Sequence, residues 1–467
     1  MRDPDAPPRG PCGDGRNANN SAAPSDVPGS PVGRVEPRRG SRLPVGAALA
    51  FWLAVLALVP GEWAQARSPA RLQMTAPEPV AVGIDLFRST DASALDGTAP
   101  GPVQMALVRL DPRKVRLATA LANGCAPSRE SVIGIAAREG ALVALNGGFF
   151  SMETGAPTGL LKHRGRWIGA ANRARGAVAF PAPAPNRPVR PVFGRVTFSP
   201  ELRIRRGLRW TGVPVDRLSG TGAQRGLTFS PAPCPASGTN GGTATNDRAA
   251  TPSAGAAVPA RVWTLRGAAG VDREAIAPGF SERHGVSGRW VVDAASAGPP
   301  VHAAATERAV LTFRGPALPR ALTALRAGQV LTADGRLLAP DARTWRDAPD
   351  AVGGAGLLVS RGGLVTDWSA ERTDAAFRTS RHPRSLIGVD GAGSIWLIAV
   401  DGRQPATSVG MSFPELQRLA RSLDLRDALN LDGGGSTTLV VRGRIVNRPS
   451  DLTGPRAVSD AVVVHAR

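Results

Sequence analysis

The sequence contains no tyrosine, two lysines (Lys114 and Lys162), five histidines and three cysteines. Each scarcity narrows the function. Of the histidines only His382 falls among the motif residues described below, so a histidine-centred triad has little to build on. A zinc or di-metal centre has too few ligands for the same reason. His163 and His302 are expected at the surface. No Gly-x-Ser-x-Gly elbow and no His-Glu-x-x-His helix is present. The net charge of +20 is carried almost wholly by scattered arginines, and aromatic residues make up only 4%. No aromatic-rich basic stripe or zinc-finger spacing results, so nucleic acid is not an expected partner. The charge is read as compositional bias that favours anionic substrates or envelope polymers.

Long apolar runs are also scarce. Residues 1–37 are rich in Pro, Gly, Asp, Asn and Ser and read as disordered. Arg38, Arg39 and Arg42 then precede the apolar run Leu43 to Val59, which Pro60 and Gly61 break. Ala64-Gln65-Ala66 fits a small-x-small cleavage site. This is the form of a signal peptide, and the run falls short of the ~20 residues of a spanning helix. Residues 1–66 are therefore assigned as disordered lead plus signal peptide, with export to the periplasm or outside. No membrane span is expected after cleavage; the alternative is a membrane anchor formed by the uncleaved signal. Cys12 would leave with the leader. Cys125 and Cys234 remain, an even pair in an oxidising compartment, which makes a disulfide the expectation and two free thiols the alternative.

Residues 67–98 read as a linker and 99–467 as one catalytic domain. Val103 to Leu110 and Val115 to Leu121 predict strands joined by a turn at Asp111-Pro112-Arg113. Ser128 to Glu139 predicts a helix with Ser128 as N-cap, Ile133, Ala136 and Ala137 on one face, and Gly140 ending it. The run Ala141 to Leu145 is a buried strand entering Asn146-Gly147-Gly148-Phe149-Phe150. A hairpin is expected to turn at Arg164-Gly165, and a low-complexity loop spans about residues 231–258. Towards the C-terminus, Ser385 to Val389 and Ser394 to Val400 form a hairpin. Ser412 to Leu423 is an amphipathic helix opened by a Ser412…Glu415 capping box. Strands predominate, which predicts an α+β fold with a strand-rich mixed sheet core and packed helices.

The most distinctive stretch is Asn430-Leu431-Asp432-Gly433-Gly434-Gly435-Ser436-Thr437-Thr438. It joins two short β-prone runs and is read as strand, tight turn, strand. Three consecutive glycines cost more backbone entropy than a plain hairpin requires, but they let amides approach a ligand. No Gly-Lys-Ser/Thr follows and the next element is strand-like, so it is not a P-loop. Polar groups recur where other strands stop: Asn146, and Asp401 with Arg403. Arginine suits phosphate oxygens, and carboxylates supply acid, base or nucleophile. The set suits a charged sugar or a phosphodiester.

The order Arg381-His382-Pro383-Arg384, Val400-Asp401-Gly402-Arg403, Ser408-Val409-Gly410-Met411-Ser412, Asn430 to Thr438 and Arg456 to Ala461 resembles the phosphodiester glycosidase family. Asn146 to Phe150 and Gly155 to Leu161 look like its N-terminal signature, while residues 181–380 match weakly. The resemblance implies hydrolysis of a sugar-1-phosphodiester, such as a GlcNAc-1-phosphodiester, to a free sugar and a phosphomonoester. It implies catalytic roles for Asp432, Asp401, Arg384, Arg403 and Asn430. Asp432 or Asp401 would be acid/base or nucleophile, and the two arginines would hold phosphate. Substrate contacts would come from Asn146, Gly147, Gly148, Gly433, Gly434, Gly435, Ser436 and Thr437. No cofactor is implied, with carboxylate-bound calcium left open. The competing expectation is a non-catalytic protein that binds envelope glycan or assists exopolysaccharide biosynthesis.

Overall fold

The strand Ile395–Val400 is apolar at every position and buried throughout. Ile395, Leu397 and Ala399 enter one core, while Trp396, Ile398 and Val400 enter another. A strand written this way belongs inside a layered fold, covered on both faces. The computed structural model describes residues 71–467, apart from 98–99, 183, 185–186, 207–208, 220–225, 235–259, 268–287, 298–307 and 324. The signal peptide and most of the low-complexity loop lie outside the described residues, as does His302. Arg67–Arg467 forms one compact unit.

The fold is α+β and strand-rich. An eight-stranded sheet runs in the order Glu78–Ala81, Ile84–Ser89, Met105–Leu110, Ile395–Val400, Arg384–Asp390, Leu425–Asn430, Leu357–Ser360, Gly363–Leu364. A five-stranded sheet runs Arg444–Ile445, Leu439–Val441, Val143–Asn146, Asp460–Ala466, Val115–Leu121. They face each other across one core in which Val108, Leu110, Ile387, Leu397 and Leu429 meet Leu117, Val143, Leu145, Val462 and Val464. The helix Phe413–Ser422 covers the outer face of the larger sheet through Phe413, Leu416, Leu419 and Ala420. The helix Val132–Glu139 covers the outer face of the smaller one through Val132, Ile135 and Ala136. Each fully buried large apolar side chain contributes about 1.5–3 kcal/mol. A twelve-stranded sheet between Leu161 and Gly353 builds its own core on Phe198, Leu202, Leu265, Leu311 and Leu331. Its pair Arg217–Leu218 and Gly226–Ser230 is parallel, which makes that sheet mixed.

The capping box is present. The Ser412 amide donates to Glu415 at 2.7 Å, and Pro414 sits in the first turn, where its missing donor costs nothing. The Arg164-Gly165 hairpin and the Arg384–Val400 hairpin also form. The expected turn at residues 111–113 forms, with the Lys114 amide donating to the Asp111 carbonyl at 3.0 Å, and the strands on either side enter different sheets. Three expectations need correction. The stretch assigned as linker contains two strands, Glu78–Ala81 and Ile84–Ser89, whose buried Ile84 and Leu86 extend the eight-stranded sheet. Ser131, not Ser128, caps the helix: its hydroxyl accepts from the Gly134 amide after Glu130–Ser131 has paired as strand with Ala457–Val458. That start buries Ile135 with Val132 and Ala136, leaves Ile133 partly buried against the same core, and exposes Ala137. Finally, His163 is mostly buried, with Nδ1 2.9 Å from the Thr119 carbonyl oxygen and 3.7 Å from Asp350.

Candidate active site

The glycine stretch is not a hairpin. Leu425–Asn430 lies in the eight-stranded sheet and Leu439–Val441 in the five-stranded one, so residues 431–438 carry the chain between sheets. Gly434–Ser436 forms a single 3-10 turn on the way. Each glycine answers a different neighbour. A Cβ on Gly433 would stand 2.7 Å from the Pro383 carbonyl oxygen. Gly434 has φ +60°, and a Cβ there would stand 2.9 Å from the Arg403 guanidinium. On Gly435 it would fall 2.1 Å from the Asp451 carboxylate, which is paired with Arg456 at 2.8 Å. The turn is thus pressed from three sides by backbone, a cation and an ion pair.

Asn146 locks the turn from beneath. It is fully buried; its amide nitrogen donates to the Asp432 carbonyl at 2.7 Å. Its side-chain oxygen accepts from the Ser385 hydroxyl at 2.6 Å and the Thr438 amide at 3.2 Å. The residue joins both sheets and the turn, and its side chain serves to hold the turn. Asn430 is equally buried and donates to the carbonyls of Ala355 and Leu431. Among the described residues its own side-chain oxygen has no partner, and neither do the hydroxyls of Ser436, Thr437 and Thr438 or Nδ1 of His382. Buried polar atoms are normally satisfied, so their concentration at one turn marks a place built for something beyond stability.

The carboxylates differ in setting. Asp432 keeps partial exposure at the turn. Burial pushes its pKa up to about 6, and the Asp460 charge adds to this; the nearby Ser436 hydroxyl, the Gly433 amide and Arg456 oppose it without winning. The Ser436 hydroxyl lies close to Asp432 but outside hydrogen-bond geometry. Asp401 is buried and committed. It accepts from Asn447 Nδ2 and the Arg448 amide, both at 2.9 Å, and Asn447 in turn donates to the Thr437 carbonyl. Burial raises its pKa too. Asp401 therefore pins the loop after the turn instead of facing a ligand.

The arginines also part company. Arg384 is 1% exposed, with Nε on the Met411 carbonyl and Nη2 shared by the carbonyls of Phe377 and Ser380. Its guanidinium lies 4.8 Å from the Phe377 ring centroid and 5.1 Å from that of Phe413. Burial and the Arg403 charge bring its pKa down to about 10. Those contacts make it a support beneath the site, in contrast to the expected phosphate clamp. Arg403 is exposed, lies against Gly434 and makes no hydrogen bond or ion pair among the described residues. It holds φ +61°, a conformation costly for a side chain with a Cβ. His382 stands near both arginines; burial, then Arg384 and Arg403, keep its pKa below the usual histidine range.

Several site residues escaped the sequence reading. Asp460 is 1% exposed and accepts from the Gly148 amide at 2.9 Å. Asn447, Asp451 and Arg456 also belong here. Their signal was weak: Arg456 and Asp460 stood within the Arg456 to Ala461 motif without a role, and Asn447 and Asp451 lie in a loop with no pattern of its own. Among the described residues no group of three or more His, Cys, Asp and Glu side chains could hold a metal ion. No helix among them is long and apolar enough to cross a membrane.

These features define a strand-rich α+β domain in which a glycine turn at the seam of two sheets carries the partly exposed Asp432 and meets Arg403, a cation unpaired among the described residues. A family profile described as phosphodiester glycosidase matches residues 285–465, and over that span the chain is similar to the phosphodiester glycosidase family. The match begins well upstream of Arg381 and leaves Asn146–Gly148 outside. The mouse N-acetylglucosamine-1-phosphodiester alpha-N-acetylglucosaminidase is 36% identical over 88 residues, which are 18% of this chain and 17% of that protein. The SPbeta prophage-derived uncharacterized protein YomE of Bacillus subtilis is 35% identical over 122 residues, 24% of this chain and 19% of that one. The chain thus spans under a fifth of these relatives. Among solved structures, a hypothetical protein from Synechocystis superposes with a TM-score of 0.59 at 23% identity, covering 85% of this chain and 64% of that one. A protein of Burkholderia pseudomallei K96243 superposes with a TM-score of 0.56 at 24% identity, covering 78% and 75%. These two likenesses concern the fold.

Proposed function

We propose that the protein hydrolyses glycosyl phosphodiesters, releasing the sugar and leaving a phosphomonoester, in the manner the name of its mouse relative describes. One observation carries this: Arg403, unpaired among the described residues, lies from its own loop against Gly434, two residues along the glycine turn from Asp432. Arg403, with His382 beside it, takes the phosphate, and the amides of the Gly433–Ser436 turn add donors. Asp432, ionised above about pH 6, takes a proton from water as that water attacks the anomeric carbon. The C1–O bond breaks and its electrons leave on the phosphate oxygen. A phosphomonoester is a weakly basic leaving group, so it needs electrostatic support more than a proton donor. This accounts for a site in which Asp432 is the accessible acid without an ion-pair partner among the described residues, Asp451 being held by Arg456. Asn146, Asn430, Asp401 and Arg384 position the turn without touching substrate.

The sugar is proposed to be N-acetylglucosamine or a relative, and the aglycone an envelope glycan. The leader read in the sequence supports this choice, because export would bring the protein to such substrates. Hydrolysis of a GlcNAc-1-phosphodiester in ¹⁸O-water tests the reaction. The label is expected in the sugar. Label in the phosphate would replace C–O with P–O cleavage, and no release from any glycosyl phosphodiester would favour the glycan-binding alternative.

A further inference from the structure

We infer that Asp460 is the positioning carboxylate of this site, holding the Gly147–Gly148 backbone against the turn and setting the proton affinity of Asp432. This rests on the role given to Asp432 above. One residue links the two acids: the Gly147 amide donates to the Asp460 carbonyl at 2.9 Å, and the Gly147 carbonyl accepts from the Asp432 amide at 3.1 Å. The Asp460 side chain then fills the room that a side chain at 147 would need. A Cβ on Gly147 would stand 1.9 Å from its Oδ1. That oxygen accepts from the Gly148 amide at 2.9 Å, and the other accepts from the Ser459 hydroxyl.

Both donors are neutral, and no cation is bonded to Asp460 among the described residues. The charged groups facing the pair all belong to the Asp432 side: Arg456 with its partner Asp451 against Gly435, and Arg403 against Gly434. His382 and Arg384 lie beyond Pro383, whose carbonyl accepts from the Gly434 amide. Asp460 therefore places an uncompensated negative charge one residue from Asp432, in a buried setting where such charges act strongly. Burial also pushes its own pKa up to about 6. A neighbouring anion raises the pH at which Asp432 becomes the base.

The test is the pH profile of kcat/KM for a glycosyl phosphodiester in the wild type and Asp460→Asn, with circular dichroism to verify folding. Asparagine keeps the acceptor for Gly148 and removes the charge. The acid limb is expected to move down by roughly half a unit or more. A limb that stays in place while the rate falls evenly assigns Asp460 a purely structural role and overturns the inference. If Asp460→Asn does not fold, Asp432→Asn gives the reciprocal measurement through thermal melting against pH. The step that remains from Asp460 is expected below the wild-type position; an unmoved step contradicts the coupling. Melting needs no substrate, so it still tests the pair should the glycosidase reaction itself be absent.

Discussion

Asp432 is the proposed base, and its setting costs stability. Its folded-state pKa of about 6 lies above the ordinary 3.8, so the native state binds the proton more tightly than the unfolded chain. Stability from that proton is complete below about pH 4 and is lost as pH rises through 6. Asp432→Asn is therefore expected to abolish most turnover, by about 10²–10⁴-fold, yet to raise the melting temperature at pH 7. The gain corresponds to on the order of 2 kcal/mol, measured by denaturant titration. A variant that is inactive and less stable would argue that Asp432 is a turn-capping residue. The two arginines separate in the same way. Arg403→Ala is expected to cut kcat/KM by roughly 10- to 100-fold, the worth of a charged hydrogen bond, with folding intact. Arg384→Ala leaves three buried carbonyl contacts and two rings unpartnered and is expected to cost about 3–5 kcal/mol of stability. Kinetics and melting on the two variants should show opposite signatures.

At the scale of elements, the helix Phe413–Ser422 depends on Glu415. One carboxylate oxygen accepts from Arg381 at 2.6 Å and the Asp96 amide at 2.8 Å, the other from the Ser412 amide at 2.7 Å. Burial opposes ionisation, but these bonds outweigh it and bring the pKa down to about 2. The stabilisation is complete above the unfolded value of 4.5 and drains as pH falls towards 2. Glu415→Gln is expected to cost about 1.5–3 kcal/mol at pH 7 and to flatten the acid side of the stability profile. This element was legible because a capping box and a 3.6-residue period are local signals. The helix at Val132 was legible only in part: Glu130 and Ser131 match a first helical turn, but pairing with Ala457–Val458 claims them first. The glycine turn shows the same limit. Its residues announced a site, while its path between sheets depended on partners such as Asn146 and Pro383, far away in sequence.

At the scale of the molecule, the candidate site forms where strand ends of two sheets meet. Asn146, Ser385, Asn430 and Asp460 come from four different strands. Sequence reading recovered the residues that stop strands and the α+β class. It did not recover which arginine would be free, because Arg384 and Arg403 look alike until burial separates them. Nor could it find Asp460, whose meaning lies in the space left by Gly147. The Cys125–Cys234 disulfide closes a sequence separation of 109 residues and ties the twelve-stranded region to the core near Ala126. Its removal by a Cys125→Ser and Cys234→Ser double variant is expected to lower stability by about 4–5 kcal/mol at most, read by denaturant melting.

The measurement that bears most directly on the account is release of sugar from a GlcNAc-1-phosphodiester by the purified chain, wild type beside Asp432→Asn, with melting curves for both. Release by the wild type, and its loss in a variant that melts at the same or a higher temperature, is the predicted result. Equal release by both proteins would contradict the claim that the glycine turn carries the reaction.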